Sequence, residues 1–95
     1  MRLARVVGNV TGTIKDGSLT GRKLLVVDLV DSSGAVVDAG HVALDTVGAG
    51  AGDSVLVSTG SAARHAGSSA GLPTDMAIVL IVEEITIANR DSDNG

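Results

Sequence analysis

Cysteine is absent from this chain of 95 residues, and so are phenylalanine, tyrosine and tryptophan. Without cysteine there is no disulfide and no thiolate zinc site. Each aromatic side chain would bury about 150–250 Å², so the core has to be assembled from Val, Leu, Ile and Ala, which bury less per residue. Long apolar runs are also missing. The longest, Met76 to Val82, falls far short of the roughly 18–20 residues that span a membrane. The start, Met1-Arg2-Leu3-Ala4-Arg5, leads into a strand-like pattern, so no secretory signal is read from it and the expected address is the bacterial cytosol. Basic runs are absent too: seven Lys and Arg are scattered against eleven Asp and Glu, giving a net charge of −4. Phosphate-backbone binding relies on clustered cations, and single-strand binding adds aromatic stacking. Neither device is available here.

What the chain does have is small apolar residues. They make up 44% of the sequence, and mean hydropathy is +0.38. A single domain of this size buries only roughly 60–70% of the surface its unfolded chain exposes. It cannot hide so much apolar area by itself, and large exposed apolar patches mark interfaces. Composition alone therefore points to an oligomer.

Five segments read as strands. Leu3 to Val10 alternates imperfectly. Lys23 to Val30 places Leu25, Val27 and Leu29 on one face and Leu24, Val26 and Val30 on the other. A strand apolar on both faces suits a position between a core and a partner subunit. Asp31-Ser32-Ser33-Gly34 is a turn signal, so Ala35 to Leu44 is expected to complete a hairpin. Asp53 to Ser58 is a short strand, and Met76 to Ile87 is expected to be the longest. One short helix is expected over Ser61 to Ala66, capped by Ser61 and stopped by Gly67. The predicted fold is all-β: a small five-stranded OB-like barrel with one short helix. The domain is expected to run over 1–87, with 88–95 a polar, flexible tail without apolar anchors.

The segment Asp45-Thr46-Val47-Gly48-Ala49-Gly50-Ala51-Gly52 is the most unusual. Its glycines fall at every second position, not as GxGxxG, and no Lys-Ser/Thr follows. A strand follows, so no helix N-terminus waits for an anion. The glycines are expected to serve positive φ or close backbone approach at a crowded contact, with a subunit interface favoured. Ser61 and His65 share a helical spacing, but Gly60-Ser61-Ala62-Ala63-Arg64 is not a nucleophile elbow, and a capping role for Ser61 is preferred. No catalytic residue is assigned. His41 and His65 lack close ligand spacing with Asp38, Asp45, Asp53 or Asp75, so neither a metal nor a cofactor is expected. Three readings stand open for Asp45: an ion pair with Arg64, a solvated surface charge, or a cap on its own loop through backbone N–H groups.

Taken together, several segments resemble a known family. They are Met1-Arg2-Leu3 with Val6-Val7-Gly8, Leu19 to Val27, Ala43 to Val57 including Asp45-Thr46-Val47-Gly48-Ala49-Gly50-Ala51-Gly52, Gly60-Ser61-Ala62-Ala63-Arg64, and Pro73-Thr74-Asp75 before Ala77 to Val82. In order and spacing they resemble the pentameric vertex proteins of bacterial microcompartments, the family that includes the EutN and CcmL shell proteins. The resemblance runs from residue 1 to about 87. It implies an OB-related barrel assembled as a cyclic pentamer, a structural and non-enzymatic role at the fivefold vertices of a polyhedral shell, and partnership with hexameric or trimeric shell proteins in the bacterial cytoplasm. It also implies interface or pore roles for Asp45, Gly48, Gly50, Gly52, Ser61 and Arg64. A ring needs heterologous contacts, in which one face of each subunit meets a different face of the next. The alternative is an OB-like module that binds a ligand or nucleic acid.

Overall fold

The computed structural model describes residues 1–13, 21–60 and 75–88. Its strands are β1 (Arg2–Val10), β2 (Lys23–Val30), β3 (Val36–Asp45), β4 (Ser54–Thr59) and β5 (Met76–Ile81). They close into one barrel in the order β1-β2-β3-β5-β4. Every seam is antiparallel except β3–β5, where Leu44 and Asp45 run parallel to Ala77 and Ile78.

The registers also show how strongly the strands slant. From Ala4, the ladders through Leu29 reach Asp38 on β3. The other way round, they pass Val55 and Ile81. Extending the parallel β3–β5 ladder from Asp45 and Ile78 then arrives at Gly48. The two routes end on different residues, and that stagger is the shear which tilts the strands of a closed sheet.

Alternation decides what faces inward. Ala4 and Val6, then Leu25, Val27 and Leu29, then Ala43, then Val55 and Val57, and finally Ile78 form the buried cluster, together with Ala49 and Met76. The barrel is narrow enough for Val and Ala to fill it, which is how a core without aromatics closes. The faces of β2 divide as its sequence predicts along most of the strand: Leu25, Val27 and Leu29 are buried while Leu24 and Val26 remain partly exposed; Val30, expected on the outer face, is buried instead, where the register shifts between Leu29 and Val30.

The β2–β3 hairpin turns on Asp31. Its Oδ1 accepts from the Ser33 N–H at 2.9 Å, the Ser33 hydroxyl at 2.6 Å and the Ala35 N–H at 3.0 Å. These bonds, led by the Ser33 hydroxyl, hold the Asp31 carboxyl below the ordinary carboxylate range.

One expectation is corrected. Met76 to Ile87 is not a single long strand: β5 ends at Ile81, and β3 is the longest. The reason is the partner. Val82 N–H makes one more bond, to the carbonyl of Ser54 at 2.7 Å, and Ser54 is the first residue of β4. Beyond it the described residues offer β5 no further ladder partner, and residues 83–88 run exposed. The helix expected over Ser61 to Ala66 and most of the tail lie outside the described residues.

Candidate functional site

The loop joining β3 to β4 is built around one carboxylate. Asp45 is the last residue of β3, and its side chain is only 2% exposed. Its Oδ1 accepts the Val47 and Gly48 N–H groups, each at 3.0 Å. Its Oδ2 lies 3.3 Å from Lys23 Nζ. Lys23 stands directly across the ladder at the start of β2, and its ammonium also donates to the Ala49 carbonyl at 2.6 Å. Burial pushes the Asp45 carboxyl up, but the amides of Val47, Ala49 and Gly48 and the Lys23 ammonium outweigh it, so the group sits below the ordinary range. It is therefore an ionised anchor, unsuited to giving or taking protons near neutrality.

A second carboxylate finishes the loop. Asp53 Oδ2 accepts the Gly50 N–H at 2.8 Å, and the Asp53 N–H donates to the Gly50 carbonyl at 3.0 Å. Gly52 N–H then bonds the Val6 carbonyl at 2.8 Å, while Val6 N–H bonds the Asp53 carbonyl at 2.9 Å. The loop is thereby fastened to the middle of β1.

The glycines divide into two kinds. Gly48 and Gly52 have φ of +82° and +92°, a region L side chains avoid. Gly50 does not adopt positive φ, and a Cβ there would meet nothing within 4 Å. Among the described residues nothing accounts for its missing side chain.

The loop-capping role read for Asp45 is realised. Among the described residues its cationic partner is Lys23; Arg64 and Ser61 both lie outside them, so the Asp45–Arg64 pair stays an expectation. Lys23 was missed as a site residue, although its place at the start of an apolar strand paired to the one ending in Asp45 was the available signal. His41 Nε2 stands 2.9 Å from Asp38 Oδ2 on the outer part of β3. Among the described residues no three His, Asp or Glu side chains group as a metal site. A groove of about 170 Å³ at one end of the barrel is lined by Arg5, Ser33 and Ser54 among others. It is smaller than the roughly 300–1,000 Å³ of small-molecule sites.

The arrangement is a glycine-faced loop held in shape by two carboxylates and the Lys23 ammonium. The family described as ethanolamine utilisation protein EutN/carboxysome matches residues 1–83. The carboxysome shell vertex protein CcmL of Synechococcus elongatus is 42% identical over 90 residues, covering 95% of this chain and 91% of that protein. The bacterial microcompartment shell vertex protein PduN of Salmonella typhimurium is 44% identical over 90 residues, covering 90% and 99%. Among solved structures, the GrpN pentameric microcompartment shell protein from Rhodospirillum rubrum superposes with a TM-score of 0.81 at 41% identity, over 93% of this chain and 100% of that one. Sequence, barrel and glycine loop thus converge, and the chain belongs to the EutN/CcmL family.

Proposed function

We propose that this protein is a structural shell subunit: a homopentamer that occupies the fivefold vertices of a bacterial microcompartment in the cytoplasm and catalyses no reaction. The observation that carries this reading is the family match along nearly the whole chain. It is supported by surplus apolar surface, with Val36, Val37, Val42, Leu80, Ile85 and Ile87 all exposed on the lone subunit. A flat hexagonal layer cannot close, and a fivefold unit supplies the missing curvature. The neighbouring tiles are hexameric or trimeric shell proteins, which meet the rim of the ring.

Within the ring, Asp45, Gly48, Gly50 and Gly52 form an interface loop. Asp45 sets its shape, Gly48 and Gly52 let the chain turn, and Gly50 keeps its outer face free of side chain. Ser61 and Arg64 are assigned to the same assembly through the family resemblance alone.

Native mass spectrometry of the purified protein tests the proposal. A mass of five subunits is expected, and a stable monomer at micromolar concentration overturns it. A gel shift at low salt addresses the alternative, because a nucleic-acid module retards a probe most strongly there; no retardation is expected from a chain with this charge.

A further inference from the structure

Arg5 lines the groove at one end of the barrel. Strand alternation turns it outward, between the buried Ala4 and Val6, and it is half-buried there. Its ladder neighbours are Asp28 on β2 and Ser54 on β4. Among the described residues its guanidinium makes neither a hydrogen bond nor an ion pair. A guanidinium is a fixed fork of N–H donors, and drawing such donors out of water without an acceptor is costly. The carboxylates nearby are committed elsewhere. Asp28 Oδ1 accepts the Gly40 N–H at 2.9 Å, and Asp31 Oδ1 takes the donors of the β2–β3 turn. Neither pairs with Arg5.

The rest of the lining leaves the guanidinium open. Gly34 has a φ of +90°, and a Cβ there would come within 2.9 Å of Arg5 Nη2. Glycine thus serves the turn and also the close seat of the cation against it. Ser32 and Ser54 line the same groove, and no group among the described residues claims their hydroxyls. Leu3, Val30 and Ile85 add an apolar wall. The groove holds about 170 Å³, the room of about five or six waters at roughly 30 Å³ each.

A forked cation, two free hydroxyls, a short apolar wall and this volume define a ligand class. An inorganic oxyanion would leave the wall unused, and a long acid would not fit. We propose that the groove binds a small carboxylate with a short apolar end, about four to six non-hydrogen atoms in all, paired with Arg5 through both oxygens. Ser32 and Ser54 donate to those oxygens, and the apolar end lies on Leu3, Val30 and Ile85. The negative charges of Asp28 and Asp31 hold the affinity to the millimolar range. The carboxylate comes from a free short-chain acid or from an acidic side chain of another protein, and its chemistry at Arg5 is the same. This binding role goes beyond the structural one and does not depend on it.

Amide NMR spectra of the isotope-labelled, assembled protein are recorded during titration with sodium propionate, at an ionic strength held constant with sodium chloride. Saturable shifts are expected at Ser32, Ser33, Gly34 and Ser54. Acetate should bind about threefold more weakly, since it lacks the methylene that leaves water against the wall. Arg5→Gln should weaken binding about tenfold or more, with native mass and circular dichroism unchanged, and Arg5→Lys, which keeps the charge but loses the fork, should fall between. A capped Ala-Asp-Ala peptide separates the sources. Saturation by propionate assigns a free acid, and saturation by the peptide alone assigns an acidic segment of a partner protein. Shifts that never saturate with either probe, or that sodium chloride alone reproduces, overturn the proposal. Saturable binding left unchanged by both Arg5→Gln and Arg5→Lys overturns it as well.

Discussion

Asp45 and Lys23 hold each other, yet they differ in what their removal costs. Asp45→Ala removes the buried acceptor of the Val47 and Gly48 N–H groups, a loss of about 1 kcal/mol measurable by urea unfolding. Lys23 is half exposed, so Lys23→Met should cost no more than about 1 kcal/mol in the same assay. The pH dependence follows from the lowered Asp45 pKa. A carboxyl depressed in the folded state stabilises fully above its unfolded value, near about 4, and the contribution disappears as pH falls through the still lower folded value. Loop protection in hydrogen exchange should accordingly hold at neutral pH and fade only in that acid window. Protection lost already between pH 7 and 5 contradicts the assignment. The glycines separate fold from assembly. Gly48→Val forces a β-branched side chain into positive φ and should lower subunit stability by about 1–2 kcal/mol. Gly50→Val meets open space, so thermal unfolding of the subunit should be unchanged while the ring is lost.

Single elements were legible to the degree that their own pattern determined them. Lys23 to Val30 announced two apolar faces, and Asp31 to Gly34 announced the turn; both are local signals, and both are realised apart from Val30, which the register shift at the end of β2 buries. Met76 to Ile87 was over-extended because Ile85 and Ile87 continue the apolar alternation, whereas a strand also needs a neighbour, and β4 begins only at Ser54. Asp45 was legible as an acceptor but its Lys23 partner was not, because cross-strand register is a non-local property. Beyond 88 the chain is polar, ending Asp91-Ser92-Asp93-Asn94-Gly95. Deleting those five residues should leave the native mass of the ring at five subunits' worth; a monomeric truncation would show that the tail anchors a neighbour after all.

For the whole molecule, the apolar excess that one barrel cannot bury stays on its outer surface, with Val36, Val37, Val42 and Leu80 among the exposed residues. Composition announced the excess, but only the registers say where it goes. The barrel's closure has a consequence of its own. Its β3–β5 seam rests on two residue pairs, reinforced by the Thr46 hydroxyl, which donates to the Ile78 carbonyl. A cylinder fastened by so short a clasp behaves as a ribbon with a latch: releasing the latch uncovers two raw β-edges at once, the condition under which chains exchange strands or stack. Thr46→Val should speed amide exchange along β5 before it measurably lowers global stability, and it should make strand-swapped or aggregated species appear first in unassembled subunits.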